Sequence, residues 1–327
     1  MLKSVKLLAG LAALLTLCSA PGRADDYPTR PITIIVPFSA GGGADVIARI
    51  VADGLDKQLG QRVIIENVTG AGGTTAVRRA AQAAPDGYTM VTVTPGTHAA
   101  APAMYKNLGY DPVNGFEMVG LTGTTPIVLV ARADLPAKNM AELVAYLKAN
   151  EKKVTLAHVG PGSMTHLACS MLDSIIGINP VAAAYRGTPP LMQDLLTGRV
   201  DYTCQQPNGV ISLVKQGSIR AFVIADDQRT PSLPDVPNAD EAGYPGFKST
   251  AWNGLVMPKG TPDAIVNKVN QALAKALDDP NVIKRFESLG VAAVRPDQRS
   301  RQYLHDFMKS EMERYTTLIK KIGIEPQ

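Results

Sequence analysis

Metal ligands are scarce in this sequence, with four His and three Cys spread over 327 residues. His166 and Cys169 stand at helical spacing, and His158 and His98 lie elsewhere. A capped helix start beside a packed Cys explains that pair better than a metal site. No glycine-rich turn ends in Gly-Lys-Ser/Thr, which excludes a nucleotide P-loop. No Gly-x-Ser-x-Gly elbow is present, and Ser163 with His166 has no oriented acid nearby, so nucleophilic hydrolysis is not expected. The 33 basic residues against 29 acidic ones form no concentrated patch, which argues against a nucleic-acid partner. Only one Trp and six Phe are present, and beyond residue 24 no apolar run is long enough to cross a bilayer.

The chain does have a targeting segment. Lys3 and Lys6 precede an apolar run from Leu7 to Cys18, and Gly22-Arg23-Ala24 supplies small residues where a leader peptidase reads, so residues 1–24 are expected to be removed after Ala24. Leu17, just before Cys18, is too large for a lipid-anchoring signal. A free periplasmic protein is therefore expected. The leader contains three basic residues and no acid, so the net charge of +4 falls to +1 on processing. Cys18 leaves with it, and Cys169 and Cys204 remain as an even pair in an oxidising compartment. They are expected to form a disulfide. About 300 mature residues exceed one comfortable core, so two domains are expected.

The stretch Ile32–Val51 organises the rest. Ile32, Ile34, Ile35 and Val36 form an apolar run bounded by Pro31 and Pro37, which predicts an inner strand. Phe38-Ser39-Ala40-Gly41-Gly42-Gly43 then leads into apolar residues at helical spacing from Val46, with Asp45 in the first turn. Glycines admit positive φ and close ligand approach, and the first N–H groups of the helix lack partners, so this turn can hold carboxylate or phosphate. Glu66, about twenty residues on, also suits a dinucleotide fingerprint, but Val46 stands where its third glycine belongs. A tight connection that binds nothing is the other alternative.

The pattern repeats. Val63–Asn67 predicts a strand before Thr69-Gly70-Ala71-Gly72-Gly73-Thr74, and Tyr88–Thr94 a third before Pro95-Gly96-Thr97-His98. Three strand-turn-helix units argue for a parallel, doubly wound sheet, with ligand beyond the carboxyl ends of its strands. The chain changes near Met118. Ile127–Ala131, Val154–Ala157, Val181–Tyr185, Val200–Cys204 and Ile219–Ile224 predict strands of a second α/β domain, with His158–His166 as a further turn into a helix that Ser163 or Thr165 can cap. From about Asp226 the chain is Pro-rich, then predicts a strand at Ala251–Met257. Helical stripes follow, Ile265-Val269-Leu273-Leu277 and Leu304-Met308-Met312-Tyr315-Ile319-Ile322. If the last segment packs on the first domain, the lobes are joined only near Ile127 and Ala221, a hinge that closes on ligand. The expected division is 25–126 with 227–327 against 127–226. Ser39, Thr94, Thr97, Ser163, Thr165, Tyr185 and Gln205 fall at strand ends bordering the cleft, as neutral groups that orient a small polar anion.

Read together, Tyr27-Pro28, Pro31-Ile32, Pro37-Phe38-Ser39-Ala40-Gly41-Gly42, Thr69-Gly70-Ala71-Gly72-Gly73 and Pro85-Asp86-Gly87-Tyr88-Thr89 resemble one family. Gly162-Ser163 with His166-Leu167-Ala168, Tyr185-Arg186-Gly187 and Trp252-x-Gly254-Leu255 extend the likeness over the whole mature chain, in order. This is the Bug family, the extracytoplasmic solute receptors of tripartite tricarboxylate transport systems. The resemblance implies a type II periplasmic binding protein (Venus flytrap), two doubly wound α/β domains joined by two crossing strands, without catalysis or cofactor. It implies capture of a small carboxylate and delivery to a membrane permease of two subunits, and the chain is read as a monomer. The ligand residues it implies are Phe38, Ser39, Ala40, Gly41 and Gly42 with Gly160, Gly162, Ser163 and Thr165, aided by ordered waters. Thr94, Thr97, His98, Tyr185, Gly187 and Gln205 are added as wall.

Two departures stand out. Where members of the family often carry an acid after the strand that begins Val200-Asp201, this chain has Gln205-Gln206, which disfavours a ligand amine and points to a non-amino organic acid. The usual Arg-Pro before Gly-Ala-Gly-Gly is Val68-Thr69. A dinucleotide-dependent enzyme would need cofactor that is scarce outside the cytoplasm. A ligand-sensing receptor serving a signalling partner has the same fold, and gene neighbours would separate it from transport.

Overall fold

The computed structural model describes residues 26–321 and Gly323; the expected leader 1–24 and Ile322 lie outside them. Ten strands, among the described residues, form two five-stranded sheets. In the first, β1 (Ile32–Val36) lies between β2 (Val63–Asn67) and β3 (Thr89–Val93), parallel to both, with Ile34 opposite Ile65 and Met90. Ile32, Ile34, Ile35 and Val36 are each no more than 2% exposed, as an inner strand covered on both faces requires.

The sheet is mixed, not purely parallel. β4 (Phe116–Pro126) and β10 (Thr250–Pro258) complete it in the order β2-β1-β3-β10-β4, with β10 antiparallel to both neighbours. The sequence reading anticipated no strand at β4, whose glycines and threonines carry little apolar signal. Its glycines serve packing: a Cβ on Gly123 would stand 2.8 Å from Val291 and one on Gly120 3.0 Å from Leu273. In the second sheet, of order β7-β6-β8-β5-β9, β6 (Thr155–His158) is parallel to β7 (Val181–Ala184) and β8 (Tyr202–Gln205). β5 (Val128–Arg132) is antiparallel to β8 and β9 (Ile219–Ile224).

The helices are α1 (Gly43–Leu59), α2 (Thr74–Ala81), α3 (Ala101–Met104), α4 (Met140–Ala149), α5 (Met164–Ile176), α6 (Thr188–Leu196), α7 (Ile211–Lys215), α8 (Asp263–Leu277), α9 (Pro280–Ser288) and α10 (Arg301–Lys321). Gly60 and Gly177 end α1 and α5 in the left-handed conformation, which costs glycine least. Val269, Leu273 and Leu277 of α8 are buried as their spacing predicts. So are Leu304, Met308, Tyr315 and Ile319 of α10, but Glu311 is buried among them because its carboxylate accepts the Trp252 indole N–H at 2.8 Å. That bond fastens α10 to the first sheet. None of the described helices is long and apolar enough to cross a membrane.

The chain passes between the sheets at Ile127 and again between β9 and β10. The return begins after Ala225 rather than near Ala221, which lies inside β9. The two passages are bonded together: Ile127 N–H donates to Ser249 O, Ala225 N–H to Ile127 O and Ser249 N–H to Ala225 O, at 2.9, 2.7 and 2.8 Å. A disulfide links Cys169 in α5 to Cys204 in β8 and so pins that helix to its sheet.

Candidate functional site

The first turn is prepared by buried polar groups behind it. The Asp45 carboxylate, in the first turn of α1, accepts from Gly41 N–H at 2.9 Å, Arg49 Nε at 2.9 Å and Asn67 Nδ2 at 2.8 Å. Burial pushes its pKa up, but these donors outweigh burial and hold it below the usual carboxylate value. Asn67 Nδ2 also donates to Phe38 O at 2.9 Å, so strand β2 holds the turn that follows β1. Gly41, at φ 79°, makes the bend that a side chain would strain.

The opposing turn, before α5, is locked in a comparable way. Ser163 Oγ donates to Gly160 O at 2.7 Å and caps α5 by accepting from His166 N–H, while Thr165 Oγ1 accepts from Val159 N–H at 2.9 Å. Gly160 N–H donates to His158 Nδ1 and Gly162 N–H to His166 Nδ1, at 3.1 and 3.2 Å, and the two imidazoles lie 4.5 Å apart. Burial lowers both histidines, His166 to about 4, so they act as neutral acceptors. His166 therefore supports the turn and activates no Ser163 nucleophile. Cys169 is committed to its disulfide, and no cluster of three metal-ligating side chains occurs among the described residues.

Between these turns lies a cavity of about 550 Å³ with its open mouth included. Of the residues expected to touch ligand, Phe38, Gly42, Thr94, Ser163, Thr165, Gly187 and Gln205 line it. The others stand elsewhere. Ala40 and Gly41 are on the outer side of the turn, and the Ser39 hydroxyl, without a hydrogen-bond partner, packs against Gly187. Thr97 is wholly buried in a reciprocal cap with Thr94, and His98 is buried beside Tyr110 and Phe116, burial lowering its pKa to about 3. Gly162 packs against Met104, whereas Gly160 and Tyr185 line a neighbouring cavity.

The wall also includes Gly43, Ala44, Pro95, Ile127, Val159, Met164, Thr188, Gln206, Ala251, Trp252 and Asn253. Asn253 was not anticipated. It is 1% exposed, and neither atom of its amide has a hydrogen-bond partner. An amide inside the apolar run Ala251–Met257 was the available signal, since buried polar groups are normally paired. Gly43 matters through its missing side chain, because a Cβ there would collide with the Gln206 amide. Gln206 Nε2 in turn donates to Thr125 Oγ1 at 3.1 Å.

The electrostatics of this cavity are unusual in one respect. None of its lining residues is ionisable, yet α1, α5 and α6 all begin at its wall, at Gly43, Met164 and Thr188. Each helix start carries a partial positive charge of about half an elementary charge, and those of α1 and α5 present N–H groups, whereas Pro189 and Pro190 in the first turn of α6 have none. The lobes meet around the cavity: Asn208 Nδ2 donates to Gly43 O at 2.9 Å, Tyr105 OH to Pro161 O at 3.1 Å and Tyr315 OH to Met164 Sδ at 3.2 Å.

Residues 47–324 match the family model described as the tripartite tricarboxylate transporter family receptor, TctC. The chain belongs to this family. Among solved structures, the periplasmic binding protein BugD is 38% identical, covering 92% of this chain and all of that one, with a TM-score of 0.89. MatC from Rhodopseudomonas palustris with bound malate is 40% identical, covering 90% and 100%, at a TM-score of 0.86. An R. palustris protein solved with adipate is 31% identical, covering 92% and 100%, at 0.88. TctC receptors are periplasmic solute-binding proteins of two lobes and not enzymes, and this chain shares that fold and class.

Proposed function

We propose that this TctC receptor captures a small organic carboxylate that carries no amine and delivers it to the two membrane subunits of a tripartite permease. The observation that carries the reading is the convergence of three helix starts on a cavity between the lobes without an ionisable side chain. Partial positive charge in a wall without an ionisable side chain favours an anion, the Asp45 carboxylate behind α1 being matched by Arg49, and the N–H groups of α1 and α5 favour its oxygens. The unpaired Asn253 amide adds a donor and an acceptor that a bound carboxylate and its waters would satisfy. The absence of any carboxylate from the wall leaves an ammonium group without a partner, because Gln205 and Gln206 occupy that side. The relatives solved with malate and with adipate support the same ligand class.

In this reading Phe38, Gly42, Thr94, Ser163, Thr165, Gly187 and Gln205 surround the ligand, joined by Asn253. The lobes are 26–126 with the chain from 227 onward, and 127–226, and Ser249 N–H donates to Ala225 O where the chain returns. Residues 1–24 direct export.

Thermal-shift and calorimetric titration of the purified protein against mono-, di- and tricarboxylates, amino acids and nucleotides tests this. A carboxylate at a hundred times its Kd should add about 2.7 kcal/mol. Stabilisation by amino acids alone, or by nucleotides alone, would overturn the proposal.

A further inference from the structure

The opposite lobe rests on the turn from Gly160 to Met164, at the start of α5. Tyr105 OH donates to Pro161 O at 3.1 Å and Tyr315 OH to Met164 Sδ at 3.2 Å. Gly162 packs against Met104, and a Cβ on Gly96 would stand 2.8 Å from Gly162 O. The same segment reaches the cavity, which Ser163, Met164 and Thr165 line. Closure and ligand contact therefore depend on one short stretch of backbone keeping its shape.

Two imidazoles hold that stretch from behind. His158, at the end of β6, accepts from Gly160 N–H, and His166, in α5, accepts from Gly162 N–H, each through Nδ1. Neither histidine lines the cavity. Both bonds require neutral rings, because an imidazolium donates from both nitrogens and accepts at neither. A proton on either ring would set N–H against N–H, and would place a cation beside the second ring, 4.5 Å away, and beside the positive start of α5.

A proton can reach the pair from the far side of the turn. His166 also lines an outer cavity with Ser170, Asp173 and Ser174, to which β6 and β7 bring Leu156 and Ala182. Asp173 is the acid that faces His166 there, and it accepts from Tyr202 OH at 2.7 Å. Burial raises Asp173 to about 7, so in acid it is uncharged and gives an imidazolium no counter-charge. The opposite lobe presents the neutral hydroxyls of Tyr105 and Tyr315.

Resting on the reading of the first cavity as a carboxylate site, we infer that His158 and His166 are positioning residues for the ligand, and that a proton on this pair loosens the turn and releases the carboxylate. Burial lowers both imidazoles in the closed form, His166 from 6.5 to about 4. The closed form thus refuses a proton that a loosened turn accepts, and affinity falls as pH drops through that interval.

Imidazole proton titration of the wild-type protein, with and without saturating malate or adipate, tests this over the pH range in which ligand-free melting shows a folded protein. By linkage the ligand should lower the His166 midpoint by about one unit or more. A midpoint left unchanged, or raised by attraction to the bound carboxylate, would overturn the inference while leaving the carboxylate reading intact. Calorimetry at pH 7.5 and pH 5 then compares the wild type with a variant carrying His158→Asn and His166→Asn, in which amide oxygens can accept in place of Nδ1 and take no proton. Each protein is referred to its own affinity at pH 7.5. The wild type should lose at least about tenfold more affinity than the variant, whose remaining loss reports protonation of the ligand itself. Equal losses would overturn the inference. Failure of the wild type to bind any carboxylate at pH 7.5 would remove the reading of the first cavity, and this inference with it.

Discussion

Gly96, just after β3, faces Gly162 across the cleft so closely that a β-carbon on Gly96 would stand 2.8 Å from the Gly162 carbonyl oxygen. That separation is below ordinary contact, and the obstacle is backbone, so neither side can yield by a rotamer change. The lobes can meet as they do only while position 96 lacks a side chain. Gly96→Ala should leave each lobe folded and hinder closure, at about 1 to 3 kcal/mol, the usual cost of overpacking. Ligand affinity should fall roughly tenfold. Small-angle scattering should show a larger radius of gyration with ligand than the wild type has; equal radii and equal affinity would refute this.

Asn253 invites the opposite kind of test. Thr122 Oγ1 donates to the Asn253 carbonyl at 2.9 Å and holds the backbone, while the amide is buried and unpaired. Removing an unsatisfied buried amide relieves a cost of about 1 to 3 kcal/mol. Asn253→Leu should therefore melt no lower than the wild type without ligand, yet bind carboxylate more weakly by at least tenfold. Melting curves and calorimetry on the same preparation check both halves, and a variant that loses stability but keeps affinity would contradict them.

Two buried groups give opposite slopes with pH. Asp173 is raised to about 7 by burial, against the lowering effect of the Tyr202 hydroxyl that donates to it at 2.7 Å. The folded protein keeps a proton that the unfolded chain releases near 3.8, so Asp173 removes stability as pH climbs from about 4 to about 7. Asp173→Asn should abolish that loss and raise stability at pH 8 by roughly 1 to 3 kcal/mol. His166, lowered from 6.5 to about 4 by burial and by neighbouring His158, acts the other way: stability falls as pH drops through that interval. Melting at pH 5, 6.5 and 8 tests the first. An imidazole proton titration locates the second, and a folded-state midpoint for His166 at 6.5 would exclude it.

The disulfide closes a loop of 35 residues between α5 and β8. Closing a loop of that length restricts the unfolded chain by about 3 to 4 kcal/mol on the entropic estimate. Replacing Cys169 and Cys204 by Ala together should lower stability by about that much and leave carboxylate affinity within a few-fold, since neither residue lines the cavity. Chemical denaturation with and without reductant measures it.

Much of this fold is legible in the linear sequence because it is local. The inner strand Ile32–Val36, the glycine turn after it and the helix beginning at Gly43 follow from apolar runs, prolines and glycines acting within a few residues of themselves. The start of α5 at Ser163 is legible for the same reason. What the sequence alone could not determine depends on residues far apart in the chain. β4 is a strand because β10, some 130 residues later, pairs with it, and its glycines answer to helices that pack on it rather than to strand propensity. Thr97 and His98 carry suitable chemistry at a suitable strand end, but burial turns them inward. Asn253 becomes a site residue only where β10 delivers it to the cavity. Short-range sterics and hydrophobic periodicity are properties of a segment, whereas the satisfaction of a buried polar group or a charge is a property of the whole packed chain.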